Sequence, residues 1–413
     1  MPLFPLNLPP SLVLGASVLT AISMYVLFGP ETKTRRKKGH PTGLINYGNN
    51  CFANAILQCL SASSKFITWL ENQVSSKVTP LAENLLDLMY SINGKDHRFM
   101  SEQPSSSMSS QTVASVIESL RQPQWFRTFE QQDSHEFLLY LLTSLTQCYS
   151  SEQQTNLLTS FDKEEKEDDT NRGSTGTNGT LSNIHPLVAP HPFQGLQATQ
   201  LQCTQCSHKN PITVSLFEIL SLTIPERRIQ LFGGQKAFTL EELIGNYLKS
   251  EMIHDLKCSK CHSLEKKPFK KVTTFTRLPE ILCIHIVRTI WSQYEASSTK
   301  DMVHVTFPDI LSMDNFVALS RMFPTRTKSL TTSKMMYGEL SERRYRLSSV
   351  IVHIGGIANA GHFIVYRRKL DSDTTWLLIS DDAIRECSSL EVFFSNAYML
   401  FYERIREQPL QQG

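Results

Sequence analysis

The sequence has almost no excess of charge: 41 Lys and Arg residues stand against 39 Asp and Glu, a net of +2 at neutral pH. No global field therefore favours nucleic acid as a partner, and charge has to be read locally. Cysteine is too scarce for a secreted disulfide scaffold. Nine thiols, unevenly spaced over 413 residues, point instead to a reducing compartment. Internal repeats are absent, and no charged side chain occurs between Met1 and Pro30. What is present is 40% hydrophobic content, enough for a sizeable core in one large domain or two to three small ones.

The uncharged start contains SLVLGASVLTAISMYVLFG, Ser11 to Gly29, of about the twenty-residue length that crosses a bilayer. A basic cluster follows at Lys33, Arg35, Arg36, Lys37 and Lys38. A cleaved signal peptide carries its positive charge before the apolar run. Here the charge comes after, so residues 1–40 read as an uncleaved single-pass anchor and juxtamembrane segment, with the remainder in the cytosol. An interfacial helix or an unusual targeting peptide is the alternative. Ser17, Thr20 and Ser23 make the segment only moderately apolar, which suits a mitochondrial outer membrane as well as the endoplasmic reticulum.

Residues 41–150 read mainly helical: LAENLLDLMYSI, TVASVIESLR and EQQDSHEFLLYLLTSLTQC repeat apolar residues three and four apart. Residues 151–184 break the pattern with KEEKEDD followed by Ser, Thr, Gly and Asn, a solvated insert. The sequon at Asn178 is a chance match in a cytosolic domain. From about residue 195, β-branched and aromatic runs dominate: ITVSLFEILSLTI, ILCIHIVR, SSVIVHI, HFIVYRR, WLLIS and AYMLFYER. A second polar insert covers residues 315–343.

Two CxxC pairs, Cys203/Cys206 and Cys258/Cys261, can supply four thiolates to a tetrahedral zinc that clips two hairpins together. Four thiolates leave no open coordination position, so such a zinc is structural. Cys51 has no CxxC partner. It follows Gly48, Asn49 and Asn50, at the head of a stripe formed by Phe52, Ile56, Leu57 and Leu60. That spacing predicts a helix starting at about Cys51, and helix N-termini favour the nucleophilic thiolate. Cys59, in mid-helix, reads as a small core residue.

A nucleophilic thiol needs a base. His362 follows a glycine and opens a strand-like run, and WLLISDD supplies a neighbouring strand ending in Ser380, Asp381 and Asp382. A polar residue there is expected to accept the Nδ1 hydrogen and leave Nε2 for the sulfur. His353, His285 and His135 are competitors that read as packed core histidines. Spacing alone does not choose between His362 and His353.

These residues carry a resemblance. GLINYGNNCFANAILQCL resembles the cysteine box of the ubiquitin-specific proteases, GLxNLGNTCYMNSxLQ. QQDSHEFLLYLL is similar to their QQDAHEF box, LPEILCIHIVR to their LPxxLxIHLxR strand, and YRLSSVIVHIGGIANAGHFIVYRR to their histidine box. The motifs run in family order from residue 43 to residue 404, with the paired CxxC between them. The resemblance implies an α+β, papain-like fold with a helical thumb (about 41–150), zinc-clipped β fingers (about 195–280) and a β-rich palm (about 281–405). The anchor precedes this catalytic domain, 41–413.

Carried over position by position, the resemblance implies Cys51 as nucleophile, His362 as general base and then acid, and Ser380 as the residue that orients it. Asn46 matches an oxyanion-hole amide, and Gln131 and Asp133 match the channel for the ubiquitin tail. Zinc is structural and catalysis needs no cofactor. The implied partners are ubiquitin and ubiquitinated proteins, with no nucleic acid. Similarity to the family's mitochondrial outer-membrane branch further implies substrates on that membrane and opposition to ubiquitin-dependent mitochondrial turnover.

Three positions depart from the usual pattern. Most of the family has Asn or Asp where this chain has Ser380, as the outer-membrane branch does; serine accepts an imidazole N–H but brings no charge to an imidazolium. Asp381 takes over if the strand shifts by one, although alternation sends its side chain to the other face. Tyr47 and Asn50 replace Leu and Thr beside the nucleophile. The departures leave a rival, a catalytically weak or inactive membrane-tethered ubiquitin-binding scaffold, and a second one, a thiol protease for another modifier. A fluorescent fusion of residues 1–40 is expected to collect on the mitochondrial surface; diffuse cytosolic fluorescence on imaging would refute the anchor.

Overall fold

The computed structural model describes residues 39–46, 48–76, 79–94, 113–120, 132–146, 191–225, 237–261, 265–292, 297–317, 343–357 and 360–406. The expected anchor, the acidic insert, most of the second insert, Tyr47 and Gln131 lie outside them. Among the described residues, no helix is long and apolar enough to cross a membrane.

The helical periodicities become α1 (Cys51–Ala62), α2 (Ser64–Ser76), α3 (Pro80–Asn93), α4 (Val113–Ser119) and α5 (residues 134–146). Local chemistry sets several ends. The Thr79 hydroxyl accepts from Ala82 N, Pro80 opens α3, and Gly94 closes it in the left-handed conformation at φ 66°. Helix α1 begins at Cys51, as its spacing predicts. It is not amphipathic in place, because every residue from Cys51 to Ser61 is buried. The reason is its position between α2 and α3 on one side and strands on the other.

The strands are β1 (Gly195–Cys203), β2 (Thr213–Phe217), β3 (Ile219–Thr223), β4 (Phe238–Thr239), β5 (Glu251–Leu256), β6 (Lys267–Arg277), β7 (Ile281–Val287), β8 (Thr289–Ser292), β9 (Ser297–Lys300), β10 (Val305–Thr306), β11 (Ile310–Ser312), β12 (Arg344–Ile357), β13 (Ala360–Lys369), β14 (Ser372–Ser380), β15 (Ala383–Cys387) and β16 (Ala397–Arg404). The helix α6 (Leu240–Tyr247) and the short α7 (Ser389–Phe393) lie among them. The large sheet runs β15-β14-β13-β12-β16-β7-β3, with β8, β9 and β11 attached beside it.

Both faces of the large sheet are covered. Cys283, Ile351, Phe363, Val365, Ile379 and Phe401 pack toward α1 to α5. Their neighbours Ile284, Val350, Val352, Ile364, Leu400 and Tyr402 pack into a second core with α6. This is why β7, β12, β13 and β16 read as continuous apolar runs. A second, four-stranded sheet, β2-β1-β6-β5, has polar alternation and ends in the two CxxC pairs. Although it falls between β2 and β5 in sequence, β3 leaves that sheet and pairs in parallel with β7.

Helix α1 is fastened to β13 by a buried guanidinium. Nη1 of Arg367 donates to Gln58 O at 3.0 Å, to Gln58 Oε1 at 3.2 Å and to Ser61 Oγ at 2.7 Å. A charge taken out of water must recover hydrogen bonds where it lands, so these contacts fix how the helix lies along the strand.

Candidate active site

Cys51 is buried at 4% exposure in the first turn of α1. Asn50 holds the N-cap position without a side-chain cap hydrogen bond. Cap geometry is supplied from upstream: Asn46 Oδ1 accepts from Gly48 N at 3.1 Å and from Asn50 N at 3.3 Å. The amide of Asn46 is thereby oriented, and its Nδ2 donates to Asp381 Oδ2 at 3.0 Å. Asn54, one turn into α1, donates from Nδ2 to Asp381 Oδ1 at 2.7 Å. One carboxylate thus joins the segment before Cys51 to the helix after it.

Asp381 lies outside β14. Asp381 and Asp382 form the two-residue connection between β14 and β15, closed by the Ser380–Ala383 pair. Asp381 adopts φ 53°, a left-handed conformation that aspartate tolerates in tight hairpin turns. Alternation accordingly stops at Ser380, which corrects the expectation that the carboxylate faces away. The connection is pressed against the chain before α1: Leu44 N donates to Asp381 O at 3.0 Å. A methyl group on Gly43 would sit 2.5 Å from the Asp382 Cα, so only glycine fits there.

His362, on β13, places Nε2 2.8 Å from Ser380 Oγ and 3.9 Å from Asp381 Oδ2. This reverses the expected orientation of the ring: the serine faces Nε2, and Nδ1 is the nitrogen left for a sulfur. The His362 side chain is 36% exposed. Its competitors are differently engaged. His353 stacks on Phe363 at 4.5 Å and His285 on His135 at 4.2 Å. Burial, then the nearby Lys300, pushes His353 down to about 4. Burial and the adjacent His135 push His285 down to about 3. Burial likewise lowers His135.

Asp133 is not an isolated carboxylate. Its Oδ1 caps α5 by accepting from His135 N at 2.7 Å, and its Oδ2 accepts from the Tyr398 hydroxyl. Gln131 lies outside the described residues. Cys59 is fully buried and its thiol is pushed up to about 12 by burial, as befits a packing residue. Sequence reasoning missed Asn54. No local pattern marked it, since its partner Asp381 lies 327 residues away in the chain.

At the tip of the four-stranded sheet the sulfurs of Cys203 and Cys261 are 3.8 Å apart and those of Cys206 and Cys258 3.6 Å apart. All four lie within 4.8 Å of one another. A tetrahedron with metal–sulfur bonds of about 2.3 Å has an edge of about 3.8 Å, so the cluster has the dimensions of a four-thiolate metal site. Backbone N–H groups of Cys206 and Gln205 already draw the Cys203 thiol down to about 7. A buried aromatic, Phe269, supports the cluster.

The family model for ubiquitin carboxyl-terminal hydrolase matches residues 42–402. The chain belongs to the ubiquitin carboxyl-terminal hydrolase family. It is a deubiquitinase of the ubiquitin-specific protease type, a cysteine-type ubiquitin hydrolase. Among curated relatives, ubiquitin carboxyl-terminal hydrolase 30 of Rattus norvegicus is 27% identical over 97% of this chain and 91% of its own length. The protein of the same name from Homo sapiens is 28% identical over the same shares. Among solved structures, the SAGA Ubp8/Sgf11/Sus1/Sgf73 DUB module bound to ubiquitin aldehyde matches at TM-score 0.61 and 20% identity, covering 97% of this chain and 77% of that one.

The buried histidines give this ubiquitin hydrolase a pH-dependent stability. Unfolded, each ring titrates near 6.5; folded, His285, His353 and His135 resist protonation. The unfolded chain therefore binds more protons below pH 6.5, so stability is complete above that value and declines as pH falls toward 4. Between pH 8 and pH 5, His285 alone should account for about 2 kcal/mol. Urea unfolding at the two pH values measures the loss, and His285→Gln should reduce it; a pH-independent midpoint would refute the assignment.

Proposed function

We propose that Cys51 is the nucleophile of a thiol isopeptidase that removes ubiquitin from proteins on the cytosolic face of the mitochondrial outer membrane. The observation that carries the catalytic assignment is the 2.8 Å contact between His362 Nε2 and Ser380 Oγ. Asp381, one residue on, ties that contact to Asn46 and Asn54 on either side of Cys51.

In this reading Nδ1 of His362 takes the Sγ proton, and the thiolate attacks the carbonyl carbon of ubiquitin's terminal glycine. The oxyanion is met by the second Nδ2 hydrogen of Asn46 and by the backbone N–H of Cys51. Nδ1–H then protonates the departing lysine amine, and the same nitrogen activates the water that releases ubiquitin from the thioester. Ser380 accepts from Nε2–H but brings no charge. Asp381, 3.9 Å from Nε2, supplies it and also holds the oxyanion amide. This makes Asp381 more than an alternative to Ser380.

Zinc on Cys203, Cys206, Cys258 and Cys261 would keep the two finger hairpins together and takes no part in bond cleavage. Asp133 lines the channel for the ubiquitin tail, a role the family pattern gives to Gln131 as well, and its carboxylate accepts from the Tyr398 hydroxyl. The partners are ubiquitin and ubiquitinated outer-membrane proteins, reached through the anchor over residues 11–29. Removing ubiquitin there opposes ubiquitin-dependent mitochondrial turnover. Support for the address comes from the anchor pattern and from similarity to ubiquitin carboxyl-terminal hydrolase 30.

Cys51→Ala should abolish cleavage of a ubiquitin fluorogenic substrate while ubiquitin still binds; residual cleavage by that variant would refute the nucleophile. Ser380→Ala should slow turnover about tenfold, whereas Asp381→Ala, which frees Asn46 as well, should slow it about a hundredfold or more. Equal and negligible effects of both would remove the proposed support of His362. Native mass measurement should find one zinc per chain, lost in Cys258→Ser with weaker ubiquitin binding. An active protein free of metal would end the zinc assignment.

A further inference from the structure

A second polar constellation lies on the strand beside His362. His353, on β12, pairs across the sheet with Phe363, the residue after His362. Its ring lies against the backbone that leads into the candidate base: a methyl group on Gly361 would sit 2.4 Å from His353 Nε2. The other ring nitrogen, Nδ1, is 3.2 Å from Lys300 Nζ. The same ammonium donates to the His353 carbonyl and, at 3.0 Å, to the Gly355 carbonyl. Lys300 comes from β9, which meets β12 at the Thr299–Ile357 pair.

The chemistry of these contacts is restrictive. An ammonium has three hydrogens and no lone pair, so it can only donate. Nδ1 of His353 must therefore be an acceptor, which leaves its one proton on Nε2, the edge turned toward Gly361. The two carbonyls engage the remaining ammonium hydrogens and clamp the end of β12, just before the chain turns back to His362. The ionisable groups around His353 are Lys300 from β9, Asp133 at the start of α5, His362 from β13 and Tyr398 from β16. Arg288 stands behind Lys300. A protonated His353 would oppose both its lysine partner and an imidazolium forming on His362.

We propose that Lys300 is a positioning residue for His362: by clamping the end of β12 and holding His353 as the neutral Nε2–H tautomer, it seats the candidate base and keeps a second cation away from it. The inference rests on the reading of His362 as the general base. It assigns no contact between Lys300 and the reacting atoms.

The test is steady-state kinetics of the full-length chain in detergent with a ubiquitin fluorogenic substrate, over pH 4.5 to about 9. Lys300→Met should lower kcat about tenfold, the scale of a small misplacement of a catalytic group, and leave KM within about twofold. It should add an acid limb between about pH 4 and 6.5, because losing the ammonium lifts the lesser part of the depression on His353 while burial, the larger cause, still holds it below its ordinary value. Lys300→Arg, which still donates to both carbonyls and to Nδ1, should recover most of kcat. Lys300→Met with His353→Phe should lack the added limb. If Lys300→Met does not fold by circular dichroism, Lys300→Gln, an uncharged donor, is read in its place with the same expectation for the pH profile.

An unchanged kcat and pH profile in the lysine variants, or an acid limb that survives His353→Phe, would overturn the proposal. Failure of the underlying reading looks different. In that case the wild-type chain itself would not react at Cys51 with ubiquitin bearing a C-terminal electrophile. A Lys300 variant is expected to label to completion, more slowly.

Discussion

The carboxylate of Asp381 holds the site in register. It lies in a two-residue turn with a left-handed backbone and accepts from Asn46 on one oxygen and Asn54 on the other. Its own carbonyl accepts from Leu44 N. The segment before Cys51, the helix after it and the strand next to His362 are thus joined within one residue. Each is anchored elsewhere by a different part of the fold, so relative placement depends on this junction. A partly buried carboxylate with two amide donors is a strong, directional link, since an unmade bond there leaves a desolvated charge.

Around that junction the fold supplies stiffness. A sheet covered on both faces leaves β13 little freedom, and Arg367 pins α1 to it through Gln58 and Ser61. Lys300 works at the other margin of the site, on the end of β12. The buried Arg367 and the half-buried Lys300 serve similar ends by different chemistry. Arg367 presents a planar fork to side-chain and backbone oxygens, whereas Lys300 gathers carbonyls and one imidazole nitrogen around a point charge. The four-thiolate cluster, in a sheet that lacks a large core, is a local staple of the kind small apolar clusters require.

Much of this was legible beforehand for identifiable reasons. The start of α1 followed from Phe52, Ile56, Leu57 and Leu60, and the sheet from runs such as ILCIHIVR, because a strand buried on both faces must be apolar throughout. The polar strands β1, β5 and β6 were not picked out, since Gln and Thr in β1, Glu, His and Asp in β5 and Lys and Thr in β6, most of them half-buried or exposed, carry no comparable signal. Asn54 and Lys300 were invisible as functional candidates. Their partners are 327 and 53 residues away in the chain, and no local pattern encodes such distances.

By itself the sequence determined which chemistry is available: a thiol at a helix start, a histidine opening a strand, and four cysteines in two pairs. Residue type and short-range periodicity are enough for that, because they act within a turn of helix or a few residues of strand. Tertiary structure alone decided which nitrogen of His362 meets Ser380, that Asp381 turns inward, and that His353 is occupied by Lys300. These depend on strand pairing and on the handedness of one turn, which are settled only when distant segments pack and their buried polar groups must find partners.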